Sequence, residues 1–179
     1  MPDTREHWER VYATKAPDEV SWFQSHLETS LDLIQRAACD RSASIIDVGG
    51  GASTLVDDLL ARGYENLTVL DISSASLEVA KKRLGSASTQ VRWLHADVSR
   101  SSLPSHSYDV WHDRAVFHFL TEPEDRVAYV RNVAASVKHG GHVIVSTFGP
   151  EGRRNAAGWT CFVTMPSPFT RSLVRDSPC

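Results

Sequence analysis

With 179 residues, 41% of them hydrophobic, and a formal net charge of −3, the chain predicts one globular domain and has no excess positive field for phosphate backbones, so we expect no nucleic acid partner. It contains no apolar run long enough to cross a bilayer and begins with charged residues, which predicts a cytoplasmic protein without a membrane partner. Its three cysteines lie far apart without the spacing of metal ligands, so neither a disulfide nor a metal site is expected.

β-rich and helical segments alternate from Ser44 onward, which is typical of βαβ units in a parallel sheet. The apolar patterns predict helices at 3–14, 25–39, 53–62, 74–84 and 123–138, and strands at 44–48, 67–71, 91–95, 108–112 and 142–148. Thr121 and Glu124 predict a capping box for the last helix, with Pro123 in its first turn, and two glycines after Lys138 predict its end. We therefore expect an α/β fold with a Rossmann-like, doubly wound and mostly parallel sheet.

Residues 44–54 read S-I-I-D-V-G-G-G-A-S-T, a predicted strand that runs into three glycines. Glycines at such a turn allow the backbone to approach a ligand closely. The dinucleotide fingerprint G-x-G-x-x-G would need a glycine where Thr54 stands. Asp47, two residues before Gly49, would also repel a pyrophosphate at the helix N-terminus. The ligand at this turn is therefore expected to carry positive charge rather than phosphate.

S-adenosylmethionine (SAM) is an adenosine derivative with this charge, and D-V-G-G-G-A-S, from Asp47 to Ser53, resembles the first motif of class I SAM-dependent methyltransferases. Asp71 follows the glycines by about twenty residues, at the strand end where such sheets present an acid to ribose hydroxyls. Asp97 and Val98, after the third strand, are similar to the family's pair at the adenine edge. Each strand-end aspartate could instead only cap the following helix.

The resemblance covers residues 44–148 and implies SAM as cofactor in a class I methyltransferase fold. The cofactor-binding residues that we predict are Tyr12, Trp22, Asp47, Gly49, Gly50, Gly51, Ser53, Asp71, Ile72, Asp97, Val98 and His112.

Segment 108–120 reads Y-D-V-W-H-D-R-A-V-F-H-F-L and contains the fourth strand and the turn after it, beside the expected methyl group. It lacks the N-P-P-Y or D-P-P-Y motif of family members that methylate nucleic-acid bases, which weakens a base assignment and leaves the acceptor open. A small molecule or a protein side chain is the acceptor that we expect. His112, Asp113 and Arg114 are the catalytic candidates. His112 could be a general base or could line the pocket around the methionine part of the cofactor, and the other two could pair or cap a helix.

Two aromatic groups precede the first strand. Trp8 and Tyr12 share a helical face, and E-V-S-W-F-Q carries Trp22 and Phe23. This segment resembles the N-terminal lid of small bacterial methyltransferases and of eukaryotic lysine methyltransferases that act on elongation factors. Ordinary core packing of an amphipathic helix is the alternative.

The C-terminal residues depart from the family. The class I fold has a β6–β7 hairpin after the fifth strand, but residues 153–179 lack that pattern, and Pro166 and Pro168 interrupt the strand pattern at 159–165. We expect a methyltransferase domain at 1–152, with N-terminal helices at 1–43 and a cofactor-binding core at 44–148, followed by an atypical tail at 153–179. A frameshift near Arg153 is our hypothesis for this tail.

Without the hairpin, strand 142–148 would be an exposed edge. We expect a marginal monomer, an edge-paired or swapped dimer, or a tail that covers the gap. Two other functions stay open at this point. One is a nucleotide-dependent oxidoreductase, and the other is a non-catalytic SAM-binding or scaffold domain.

Overall fold

The computed structural model describes residues 4–14, 23–148 and 159–164. Its helices are α1 (Thr4–Thr14), α2 (Glu28–Ala37), α3 (Leu55–Ala61), α4 (Ser74–Leu84) and α5 (Pro123–Ser136). Its strands are β1 (Ser44–Val48), β2 (Asn66–Asp71), β3 (Val91–His95), β4 (Tyr108–Arg114), β5 (Val137–Phe148) and β6 (Trp159–Thr164). Short 3₁₀ helices lie at Gly85–Gln90 and Phe117–Phe119. Within these ranges, no helix is long and apolar enough to cross a membrane.

The six strands form one sheet in the order β3-β2-β1-β4-β5-β6. β1 pairs in parallel with both β2 and β4, and only β6 runs antiparallel to its neighbour. The predicted Rossmann-like, mostly parallel sheet is confirmed. Because β2 and β4 leave β1 on opposite sides, the strand order reverses at β1, and this is where open α/β sheets form a crevice.

Both faces of the sheet are covered, which explains the nearly continuous apolar character of its strands. Neighbouring β1 residues point to opposite faces, and Ile45 and Ile46 accordingly belong to different core clusters. Ile45 packs in the cluster that contains α2 and α3 residues, such as Leu31 and Leu55. Ile46 packs in the cluster that contains Tyr129 of α5. The functional groups at the ends of the strands therefore rest on two separate cores.

The predicted capping box of α5 is wrong. Pro123 occupies the first helical turn and Glu122 is the extended N-cap residue, without a side-chain capping hydrogen bond. A residue before proline is biased toward extended backbone, so the cap falls one position later than Thr121. The Thr121 hydroxyl lies instead 3.4 Å from a carboxylate oxygen of Glu122.

α5 also ends at Ser136 rather than at the predicted residue 138, because Val137 is already extended and begins β5. The pairing of β4 with β5 shifts register between Tyr108 and Val110, and Gly140 adopts a φ of +79° in this irregular part. Glycine fits that left-handed conformation without strain. The regular ladder starts at His142, so the predicted strand 142–148 corresponds to the regular part of β5.

The outer edge of β5 is covered by β6, which pairs with it from Val143↔Thr164 to Phe148↔Trp159. Of the three predicted outcomes for this edge, the described residues show a tail that covers it. Pro166 and Pro168 lie outside the described residues. The frameshift hypothesis near Arg153 also falls outside them and stays a prediction.

One buried hydrogen-bond chain joins α5 to β4. The indole N–H of Trp111 donates to the Tyr129 hydroxyl over 3.0 Å, and this hydroxyl donates to Oδ2 of Asp113 over 2.6 Å. Trp111, Tyr129 and Asp113 are all at most 3% exposed. Because buried polar groups are costly when unpaired, this chain fixes α5 against the end of β4.

We expect Tyr129→Phe to lower the free energy of unfolding by about 1–3 kcal/mol, since it removes the acceptor of Trp111 and a donor of Asp113. Chemical denaturation would measure this loss. Tyr108→Phe is the matched control, because the Tyr108 hydroxyl is buried without a hydrogen-bond partner among the described residues. Equal losses in both variants would contradict the assigned role of the chain.

Candidate functional site

The candidate site lies where the carboxyl ends of β1, β2 and β4 meet. Asp47 is paired in register with Val69 of β2 on one side and with His112 of β4 on the other. Asp71 is the last residue of β2. The parallel strands therefore bring two predicted acids and a predicted histidine to one end of the sheet, as expected at the point where strand order reverses.

The three glycines after β1 fold tightly against these side chains. Gly49 has a φ of +72°, and its N–H donates to the Leu70 carbonyl over 2.7 Å. A Cβ built on Gly49 would overlap Val116, one on Gly50 would overlap the Asp47 carboxylate, and one on Gly51 would overlap Asp71. Each glycine thus lacks a side chain for a steric reason, and the turn wraps around both acids.

Asp47 is held by a buried chain that ends in α2. Oδ1 of Asp47 lies 2.7 Å from Nδ1 of His112, and Nε2 of His112 lies 2.9 Å from the Ser30 hydroxyl. A carboxylate only accepts, so Nδ1 donates to Asp47, and in the neutral ring Nε2 accepts from Ser30. His112 is fully buried, and both of its ring nitrogens are engaged within the protein. This arrangement orients Asp47.

The second oxygen of Asp47 is different. Oδ2 is buried and has no hydrogen-bond partner among the described residues. An unpaired buried carboxylate oxygen is costly, so it marks a position where a donor or a cation would be strongly favoured. The predicted cationic ligand fits this oxygen.

Asp71 adds to the negative field. Burial, with a smaller contribution from the charge of Asp47, raises the pKa of Asp71 to about 6, although hydrogen bonds from Ser73, Ser76 and the Gly51 N–H oppose the increase. Ser73 N–H donates to Oδ1 of Asp71 over 2.8 Å. The glycine turn is therefore bonded directly to the acid that we expected to face the ribose.

The other predicted cofactor residues lie around this centre. Ile72 is half-buried, and its carbonyl is 3.1 Å from Nε2 of His95. Asp97 lies two residues beyond β3, and its Oδ1 accepts from both the backbone and the hydroxyl of Ser99. Val98 is buried in the α5-side core. One oxygen of Asp97 is therefore used for local capping, as the alternative interpretation of the strand-end aspartates predicted.

Ser53 lies two residues before α3, and its hydroxyl accepts from the N–H of Leu55, the first residue of the helix, over 3.2 Å. Its carbonyl accepts from the Arg83 guanidinium over 2.6 Å. Ser53 therefore joins the glycine turn to α3 and α4.

β4 directs its catalytic candidates to opposite faces of the sheet. His112 points toward α2, whereas Asp113 bonds to Tyr129 on the α5 side. Asp113 also accepts from the N–H groups of Val116 and Phe117 over 2.8 and 3.1 Å. Burial raises the pKa of Asp113 to about 6 against these hydrogen bonds. As the alternative interpretation predicted, Asp113 caps the turn that follows. Arg114 ends β4, paired in register with Ser146.

α1 brings aromatic side chains to the same end of the sheet. Trp8 stacks on Tyr12 with ring centroids 6.2 Å apart, and it meets Phe119 edge-on at 5.1 Å. Phe119 is 43% exposed and belongs to the turn after β4. Trp22 lies outside the described residues. α1 therefore contacts the wall of the site where we expected the methyl acceptor.

The sequence patterns did not identify three residues that the structure places at this site: Ser30, Val116 and Glu9. Ser30 is one serine in an amphipathic helix, and only the tertiary contact of α2 with β4 reveals its role. The side chain of Val116 fills the space that a Cβ on Gly49 would need, and this contact depends on the folded turn after β4. Glu9 bonds to the first turn of α4.

A family described as a methyltransferase domain matches residues 45–141, which run from the second residue of β1 through the glycine turn, β2, β3, β4 and α5. The chain belongs to the class I SAM-dependent methyltransferases. SAM is the cofactor of this family, and the unpaired Asp47 oxygen beside a glycine turn fits its positively charged amino acid part.

Relatives of this methyltransferase differ in the acceptor that their names state. A malonyl-[acyl-carrier protein] O-methyltransferase of Halalkalibacterium halodurans is 32% identical over 126 residues, which are 68% of this chain and 45% of that protein. The eEF1A lysine and N-terminal methyltransferase of Mus musculus is 22% identical over 139 residues, 78% of this chain and 20% of that protein. The chain thus spans less than half of either protein.

A solved SAM-dependent methyltransferase from Aquifex aeolicus superimposes on 82% of this methyltransferase with a TM-score of 0.61 and 16% identity, over 75% of its own chain. This likeness shows that the two share a fold.

We expect Gly49→Ala to abolish S-adenosylhomocysteine binding, because the added Cβ meets Val116 and the φ of +72° is strained for alanine. Gly63→Ala is the matched control, since Gly63 has a similar φ of +80° but open space around its Cβ position. Calorimetric titration of both variants would measure binding. If both lost it equally, backbone strain alone would explain the effect of Gly49→Ala.

The raised pKa of Asp71 predicts the sign of a pH dependence. The folded state binds this proton more tightly than the unfolded chain, so the free energy of unfolding falls as pH rises from about 4 to about 6. Comparison with Asp71→Asn isolates this contribution. From pH 4 to pH 7, wild type should lose on the order of 2–3 kcal/mol relative to the variant. A constant difference, or one of opposite sign, in denaturant titrations would contradict the prediction.

Proposed function

We propose that this protein binds SAM across the glycine turn and transfers its methyl group to a small molecule or a protein side chain. The unpaired buried Oδ2 of Asp47 carries this proposal, because it would be satisfied by the α-ammonium of the cofactor. The closeness of a second buried acid, Asp71, favours a cation over a phosphate in the same crevice.

The roles of the chain's residues follow from their contacts. Asp47 binds the ammonium group of the cofactor. His112, which is itself bonded to Ser30, holds the carboxylate of Asp47 in position. Asp71 accepts from the ribose hydroxyls, and Gly49, Gly50 and Gly51 let the backbone approach. We assign Ile72, Asp97 and Val98 to the adenine side of the cofactor. We propose that Ser53 contributes to the cofactor site from the turn before α3, and that Tyr12 and Trp22 line the open side of the pocket.

The bound cofactor supplies an electrophilic methyl group, and the protein aligns the acceptor with it. We do not assign a general base to His112, because both ring nitrogens already have protein partners. Asp113 uses both oxygens to cap the turn and to bind Tyr129. These contacts support alignment and exclusion of water as the sources of rate acceleration, with Asp113 and Arg114 shaping the acceptor wall.

The acceptor wall supports the proposed substrate classes. Trp8, Tyr12 and Phe119 form an aromatic surface, which suits an apolar group or a cationic amine. Relatives named for a malonyl carrier and for a protein lysine fall within the two proposed classes. We further propose that the protein is cytoplasmic and that residues 1–152 form the catalytic domain, with the tail supplying the edge strand β6.

We expect Asp47→Asn to weaken S-adenosylhomocysteine binding about 10- to 100-fold, as typical for loss of a charged hydrogen-bond partner. Asparagine keeps the shape and the acceptor for His112 but removes the charge. Isothermal titration calorimetry would measure the change, and transfer of a tritiated methyl group to fractionated lysate would report activity in parallel.

Asp109→Asn is the matched control, because Asp109 also lies on β4 next to β1 but at the opposite end, where it accepts from Ser44 and Lys138. The Asp109→Asn variant should bind S-adenosylhomocysteine with the affinity of wild type. Unchanged affinity in Asp47→Asn would refute the assigned ammonium site. Binding of NADH without any binding of S-adenosylhomocysteine would favour an oxidoreductase instead.

A further inference from the structure

We propose that Glu9 fastens α1 to the N-terminus of α4 and that this contact retains the cofactor in the site; the retention part rests on the function proposed above. Glu9 is then a positioning residue, which acts by holding α1 over the crevice.

Four hydrogen bonds converge on the Glu9 carboxylate from the first turn of α4. Oε1 accepts from the Ser74 N–H over 2.6 Å and from its hydroxyl over 3.0 Å. Oε2 accepts from the Ala75 N–H and the Ser73 hydroxyl, each over 3.1 Å. A carboxylate at a helix N-terminus also interacts favourably with the helix dipole. One side chain of α1 thus satisfies two backbone N–H groups of another helix.

The ionised form of Glu9 is the one that these contacts favour. Burial alone would raise the pKa of Glu9, but the hydrogen bonds from Ser74, Ala75 and Ser73 lower it below its usual value. His95 of β3 is a titratable group near Glu9, with its Nε2 at 3.8 Å from the carboxylate. The contact is therefore formed by a charged acceptor, which strengthens each bond.

The neighbouring residue attaches α1 to the opposite wall. Trp8 meets Phe119 edge-on, in the turn after β4, while Glu9 binds the turn after β2. β1, which carries Asp47, lies between β2 and β4 in the sheet. α1 therefore bridges two walls whose strands flank the proposed cofactor site.

The α4 turn that Glu9 binds is also the turn that holds the proposed ribose acid. The Ser73 N–H donates to Asp71, while the Ser73 hydroxyl donates to Glu9. The same hydroxyl accepts from the Ser76 N–H over 3.2 Å. Release of Glu9 would loosen the residue that supports Asp71, so the position of α1 and the ribose contact are linked through Ser73.

Glu9→Ala tests the inference, with Glu6→Ala as the matched control. Glu6 is an exposed glutamate in the first turn of the same helix, so both changes remove one negative charge from α1. We expect Glu9→Ala to speed amide hydrogen exchange in residues 4–14 without ligand. We also expect dissociation of S-adenosylhomocysteine, followed by stopped-flow fluorescence, to become about 5- to 30-fold faster, as typical for the net loss of one or two ordinary hydrogen bonds.

Glu9→Gln should give an intermediate dissociation rate, because glutamine keeps one acceptor oxygen. Unchanged exchange of α1 in Glu9→Ala would overturn the proposed contact. Faster exchange with unchanged dissociation would overturn the retention role, and so would equal effects of Glu6→Ala. If wild type bound no S-adenosylhomocysteine, the proposed function would fail, and the exchange data would still decide whether Glu9 docks α1.

Discussion

The organisation of the site depends on a buried carboxylate, Asp47, of which one oxygen has a hydrogen-bond partner within the part of the chain that the structure describes. Asp47 sits at the end of a central strand, where burial of a charge is costly unless it is paired. His112 pairs with one oxygen, and the other has no partner among the described residues. A Cβ on Gly50 would overlap that oxygen, so the glycine leaves the carboxylate in place beside the turn.

The period-two geometry of β4 allows one strand to build both walls of the site. Consecutive residues point to opposite faces, so His112 reaches Asp47 and α2 while Asp113 reaches Tyr129 of α5. Asp113 then caps the turn that presses Val116 against Gly49. The α2 side of the sheet thus orients the proposed ligand-binding acid, and the α5 side fixes the shape of the glycine turn.

The strands and the strand-end acids could be predicted because they depend on local patterns. β1, β3 and α4 begin and end where apolar runs and turn residues predict, and Asp47 and Asp71 follow from their positions in those runs. Ser30 could not be predicted, since its role depends on how α2 packs on β4. The predicted capping box of α5 was wrong because Pro123 sets the N-cap at Glu122 rather than at Thr121. The pairing of β6 with β5 could not be predicted either, since it depends on a sheet edge that exists only in the folded protein.

The same electrostatics connect stability to the proposed binding. Asp47 and Asp71 are both buried. Burial is the main reason that the pKa of Asp71 is raised to about 6, and repulsion from Asp47 adds a smaller part. At neutral pH, the folded protein therefore carries an unfavourable interaction that a cation in the crevice would relieve. A ligand that binds only the folded state stabilises it, and here the gain would include removal of this repulsion. A hydrophobic replacement of either acid would remove this repulsion, but it would also leave His112 or the Ser73 N–H without its buried acceptor and would remove the charge that selects a cationic nucleoside.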